Sequence, residues 1–120
     1  MASKKPKLYN SLNKLYPQYV AAVESLGEAA ARAGPLDEKT LQLVQLAGAA
    51  ASRSEGAVHS HVRRALKIGA TPQEVRHALI ALTSTIGFPN VTAALSWAED
   101  VLRPAAPPLR SGARAAHPPG

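Results

Sequence analysis

The sequence predicts an all-α fold of about six helices, and three observations predict it. Apolar residues recur at i, i+3, i+4 and i+7 along most of the chain, and no stretch alternates with the two-residue period of a strand. Gly-Pro, Gly-Phe-Pro and Thr-Pro punctuate the pattern at intervals suited to helix–helix connections. The chain has 120 residues, so it makes one small domain or one subunit of an assembly. Only 4% of its residues are aromatic while alanine is abundant. Alanine-lined helices pack closely but bury little area each, and association into a homo-oligomer is the usual remedy for such a thin core.

Residues 1–7 read as a disordered basic tail. From Leu8, the positions Leu8, Leu12, Leu15, Tyr19, Val23 and Leu26 keep helical spacing, interrupted at Pro17. Proline cannot donate to the preceding turn, so a short helix ends near Tyr16 and a second starts at Pro17 and runs to about Arg32. Gly34-Pro35 stops it, and Asp37 is a good N-cap for the third helix. Between Leu41 and Ala51 nearly every side is apolar or tiny, which predicts a central position. Gln42 and Gln45 are its polar exceptions; their amides either bond neighbours or a subunit contact, or Gln42 lies beside a histidine of the next helix.

Residues 54–69, SEGAVHSHVRRALKIG, form the fourth helix, with Val58, Val62 and Ala65 on one stripe. His61 sits about 60° off that stripe, at the edge of the buried face, on the same side as Ser54 and Ala57. Ser54 is an N-cap candidate, and Gly69 a natural C′ residue. Thr71-Pro72-Gln73-Glu74 is a capping box opening the fifth helix, which buries Val75, Ala78, Leu79, Leu82 and Ile86 and turns His77 outward. Gly87-Phe88-Pro89 breaks the chain before a last helix with Val91, Ala94, Leu95, Ala98, Val101 and Leu102 on one stripe. Trp97 lies off that stripe, which predicts a subunit contact or a pocket wall. The folded domain is therefore expected over residues 8–103, with residues 104–120 a proline-rich disordered tail.

Composition removes several function classes. The chain has no cysteine, hence no disulfide, thiolate nucleophile or sulfur-ligated metal. No apolar run reaches the roughly 18–20 residues of a membrane span, and the polar start MASKKPK is no signal peptide. No membrane partner is expected, and a cytoplasmic location is. The net charge of +6 resides in the tails: Lys4, Lys5, Lys7, Arg103, Arg110 and Arg114 account for all of it, and residues 8–102 balance at eight basic and eight acidic side chains. A nucleic-acid reader carries its basic patch on the folded surface, so this distribution argues against a nucleic-acid partner. His59-x-His61 invites a metal. Residues two apart on a helix diverge by about 200°, so the two rings cannot grip one ion. Glu55 could pair weakly with His59, but the expectation is no metal and no cofactor.

The stretch LDEKTLQLVQLAGAAASRSEGAVHSHVRRALKIGATPQEV resembles the carboxymuconolactone decarboxylase family, which includes the alkylhydroperoxidase D-like branch. The resemblance covers about residues 12–102 and is anchored by E-G at 55–56, H-V-R at 61–63, A-L-K at 65–67 and G-A-T at 69–71. It implies an alkylhydroperoxidase D-like helical subunit in a ring-like trimer or hexamer. In the thiol branch, a Cys-x-x-Cys, a following His and a preceding Glu carry peroxide reduction. The matching positions here are Ser54, Ala57, His61 and Gln42. A serine hydroxyl forms no sulfenic acid and disulfide exchange needs two sulfurs, so a peroxiredoxin-type antioxidant role by that mechanism is excluded. The decarboxylase branch, which works without cysteine, is the better analogue. It implies a carboxy-lyase type of acid–base chemistry on a small organic acid or lactone. His61 would be the general acid, with Arg53 or Gln42 as partner to a carboxylate or carbonyl and His59 a weaker second catalytic candidate. Gln42, Arg53, Ser54 and Ala57 would line the substrate. The competing reading of His61 is a buried histidine that only satisfies neighbouring polar groups, in a catalytically inactive helical binding or scaffold oligomer.

Overall fold

The structure, a computed structural model, describes residues 7–105. Among them every regular element is a helix: α1 (Lys7–Leu15), α2 (Pro17–Ala31), α3 (Glu38–Ala51), α4 (Glu55–Lys67), α5 (Pro72–Ile80), α6 (Thr83–Ile86) and α7 (Phe88–Ala105). No described helix is long and apolar enough to cross a membrane. The expected tails lie outside the described residues except at their inner edges, where Lys7 opens α1 and residues 104–105 close α7.

The chain divides into two compact units, parted between Leu41 and Gln42. In the first, α1 packs against α2. Pro17 starts α2 as expected, because its missing N–H falls where no intrahelical partner exists. The single buried side chain of these helices is Val20. Leu8, Leu15, Tyr16, Tyr19, Val23 and Leu26 remain exposed, up to 71% for Leu8. The helical spacing of this stripe is therefore real, but among the described residues nothing buries it. The unit closes with the start of α3, where the Asp37 carboxylate accepts the Thr40 N–H at 2.8 Å. That bond to the backbone holds the Asp37 carboxyl below its ordinary range.

The second unit holds the core: Leu46, Ala49 and Ala50 of α3, Val58, Val62 and Ala65 of α4, Val75 and Leu79 of α5, and Ala94, Ala98 and Leu102 of α7, with Ala70 between α4 and α5. No polar side chain is buried among the described residues, so this core depends on apolar burial and close packing alone. The hub is α7, which packs on α4, α5 and α6. The central role expected for α3 is corrected: Val44 is 53% exposed, and only the Leu43–Leu46–Ala49–Ala50 side meets the core. Trp97 is partly buried and packs against the core cluster.

The expected fifth helix is split. Leu82 N–H bonds Leu79 O at 3.1 Å, three residues back, and the Thr83 hydroxyl donates to Ile80 O at 2.6 Å. The chain turns at Ala81–Leu82 and resumes as the single turn α6. A hydroxyl that competes for the last carbonyls, in a run of Thr83-Ser84-Thr85 with weak helix preference, is the local cause. Leu82 and Ile86 still reach the core, and His77 is exposed, as the periodicity required.

Candidate functional site

Two helix ends place the residues of interest. α3 ends in a Schellman motif: Ser54 N–H bonds Ala49 O at 3.0 Å and Arg53 N–H bonds Ala50 O at 3.1 Å. This puts Arg53 at C′ with φ +57, in the left-handed region where a side chain is strained. α4 ends in the same motif, Ala70 N–H to Ala65 O at 2.9 Å and Gly69 N–H to Leu66 O at 3.2 Å, with Gly69 at φ +105. Glycine occupies the position in one helix and arginine in the other, so the loop between α3 and α4 keeps a charged side chain at a backbone cost of about 1–2 kcal/mol.

Ser54 then caps α4. Its backbone is extended and its hydroxyl oxygen accepts the Ala57 N–H at 3.4 Å. The hydroxyl serves the helix end, in keeping with the capping reading of this position. Ala57 and His61 follow along the same face, one turn apart.

His61 is half-buried, and its Nδ1 lies 3.0 Å from Gln42 Oε1 on α3. The expected neighbourhood of Gln42 and His61 is thus observed as a direct bond. The amide oxygen only accepts, so Nδ1–H donates to it and the neutral ring carries its lone pair on Nε2. Burial pushes the His61 pKa down from its ordinary 6.5, and the nearby Arg64 charge adds to the effect. At neutral pH the ring is therefore an uncharged imidazole in a fixed tautomer, able to take a proton at Nε2.

The other expected residues take different partners. The Arg53 guanidinium donates through Nη1 to Asn90 Oδ1, and Asn90 in turn donates to Ile86 O at 2.7 Å. Arg53 is exposed and tied to the start of α7. His59 points to another flank of α4: its Nε2 lies 2.9 Å from Asp100 Oδ2 on α7 and 4.0 Å from Glu55 Oε2. The two histidines so belong to separate clusters, and His59 is not part of the His61 site. Asn90 and Asp100 carry no signal in the sequence, because each meets its partner only through the packing of α7 on the rest of the unit.

Comparison with known proteins agrees with this architecture. The profile described as the carboxymuconolactone decarboxylase family matches residues 17–100. A solved apo structure, lpg0406, a carboxymuconolactone decarboxylase family protein from Legionella pneumophila, is similar with a TM-score of 0.70 and 28% identity, over 78% of this chain and 84% of that one. An uncharacterized protein of Haemophilus influenzae is 41% identical over 59 residues, which is 49% of this chain and 52% of that protein. The match with this curated relative spans about half of its length.

Proposed function

The chain belongs to the carboxymuconolactone decarboxylase family, and on that premise we propose that it performs non-thiol acid–base chemistry, decarboxylation or proton transfer, on a small organic acid or lactone. The observation that carries this reading is the half-buried His61, fixed through Nδ1 by Gln42, with Nε2 as its proton-exchanging atom. In a decarboxylation the bond to the carboxylate carbon breaks, carbon dioxide leaves, and the electron pair stays behind as an enolate. His61, having taken a proton at Nε2 from water or from the substrate acid, delivers it to that carbon and returns to the neutral ring. Its depressed pKa makes the imidazolium a stronger acid, which suits it to this delivery. Arg53, exposed before α4 and bonded through Nη1 to Asn90, has further guanidinium donors to offer a substrate carboxylate. Ser54 and Ala57 contribute small side chains on the His61 face of α4.

The exposed apolar stripe of α1 and α2 supports a homo-oligomer, with a trimer or hexamer as the family resemblance implies. The same stripe supports the second reading, a helical scaffold whose catalysis has lapsed. A panel of carboxylated unsaturated lactones and β-keto acids, offered to the full chain, separates the two. The expected result is carbon dioxide release or solvent-deuterium incorporation with wild type and its loss in His61→Ala. A chain that binds members of the panel, releases nothing, and binds them as well after His61→Ala is the scaffold.

A further inference from the structure

The flank of α4 opposite His61 holds a cluster that the acid–base reading does not use. Glu55 and His59 stand one helical turn apart on α4, and Asp100 reaches them from α7. One imidazole nitrogen and one oxygen from each carboxylate lie within 4.8 Å of one another. Sequence spacing alone supplied only the Glu55–His59 pair, too few donors for an ion; the packing of α7 on α4 adds the third.

We propose that Glu55, His59 and Asp100 form a surface site for a divalent first-row transition ion of the Zn2+ class. Such an ion binds imidazole nitrogen and carboxylate oxygen at about 2.0–2.2 Å, which sets neighbouring donors roughly 3–3.5 Å apart. The observed separations from His59 Nε2, 2.9 Å to Asp100 and 4.0 Å to Glu55, bracket that range. A carboxylate rotamer adjustment is enough to close the triangle. The elements that carry the donors are already packed against each other, so little ordering is needed to bind. The side chain of His59 is 23% exposed, while those of Glu55 and Asp100 are 57% and 58% exposed. The nitrogen donor is thus held by the fold, while the open side leaves a fourth position to water. A nitrogen donor beside two carboxylates favours Zn2+, Co2+ or Ni2+ over Ca2+, which takes six to eight oxygens, and over Mg2+, which keeps its waters. Bound there, the ion clamps the first turns of α4 to the last turns of α7.

The test is titration of the full chain with Zn2+ alone, followed by calorimetry and by the ring nitrogen shifts of its histidines. The expected result is one saturable site that moves His59 Nε2 and leaves His61 in place. His59→Gln and Asp100→Asn each weaken it by roughly ten-fold or more, and His77→Gln, on exposed α5 surface, does not. Asp100→Asn alters one exposed atom and keeps the proposal testable if His59→Gln fails to fold. No saturable binding, a shift at a different histidine, or wild-type affinity in Asp100→Asn overturns it. None of these outcomes bears on the chemistry assigned to His61.

Discussion

Replacing Gln42 with glutamate tests the electrostatic logic of the site directly, because it changes one atom type at a measured contact. In the wild type, Gln42 Oε1 sits 3.0 Å from His61 Nδ1 and contributes a dipole. A carboxylate in its place puts a full negative charge there. With charge centres roughly 4 Å apart and an effective dielectric of about 20, the gross attraction for an imidazolium is about 4 kcal/mol. Half-exposure of the ring and the cost of desolvating the new carboxylate leave about 1–2 kcal/mol net, or roughly 5–30-fold in the protonation equilibrium. That raises the His61 pKa from its depressed wild-type position.

The pH dependence of stability moves with it. In the wild type the folded pKa is depressed, so unfolded chains bind the proton more readily. Stability is then full above 6.5 and falls as pH drops from 6.5 toward the depressed folded value. In Gln42→Glu the folded pKa stands higher than in wild type, so the stability lost as pH drops below 6.5 is smaller. Proton NMR titration of the His61 ring gives the first quantity, and urea unfolding at about pH 5.5 and pH 8 gives the second. A His61 that titrates no higher in Gln42→Glu than in wild type refutes the reasoning, as does a stability loss from the higher to the lower pH that is no smaller in the variant.

Other consequences follow from the helix ends and the uncovered stripe. Gly69→Ala adds a side chain that meets nothing within 4 Å, so its cost is purely that of the left-handed backbone, about 1–2 kcal/mol in denaturant unfolding. At the matching position of α3, Arg53→Gly should be more stable than Arg53→Ala by about 1 kcal/mol, since both lose the Asn90 bond and only glycine relieves the strain; equal stabilities would remove strain from the account of Arg53. Thr71→Ala removes the hydroxyl that accepts the Glu74 N–H, one arm of the capping box, and should lower stability by about 1 kcal/mol, read as a melting shift of about 4–8 °C. The pair Tyr19→Glu and Leu26→Glu, both exposed within the chain, should reduce the mass measured by light scattering while leaving helical circular dichroism intact; an unchanged mass would put the subunit contact elsewhere.

What could be read from the sequence was local. Pro17, the Thr71–Glu74 box and Gly69 act within one turn of chain, and each helix end they mark is observed. The face of α4 was legible because Val58, Val62 and Ala65 repeat with the helical period, which fixes where His61 must lie. What was hidden depends on separation or on competition. Asp100 meets His59 across 41 positions, and Arg53 meets Asn90 across 37, so neither pair leaves a periodic trace. Arginine at φ +57 was hidden because nothing in its side chain asks for that backbone. The turn at Ala81–Leu82 escaped because Leu82 and Ile86 keep pointing inward through it, and periodicity reports burial rather than continuity. The apolar density of α3 was misread for the same reason: a helix rich in alanine looks central whether its second face meets its own chain or is left bare, as Val44 is.

Gln42, Ser54 and Ala57, at the positions that the resemblance matches to the thiol branch's redox residues, act together on the electrostatics of His61. With Ser54 holding the Ala57 N–H, and Ala57 without a polar atom, neither position places an ionisable group beside His61. A glutamate at position 42 would set a carboxylate against His61, and the pair would sit as a carboxylate–imidazolium with its proton held. Glutamine keeps the acceptor that orients Nδ1 and removes the charge that would trap the proton. Among positions 42, 54, 57 and 61, His61 is left as the one group that titrates near neutral pH, with a fixed tautomer and a depressed pKa. That arrangement favours a ring that takes up and releases a proton within a turnover over one that serves as a permanent cation, and it is why retaining Gln42 matters to the acid–base reading as much as retaining His61.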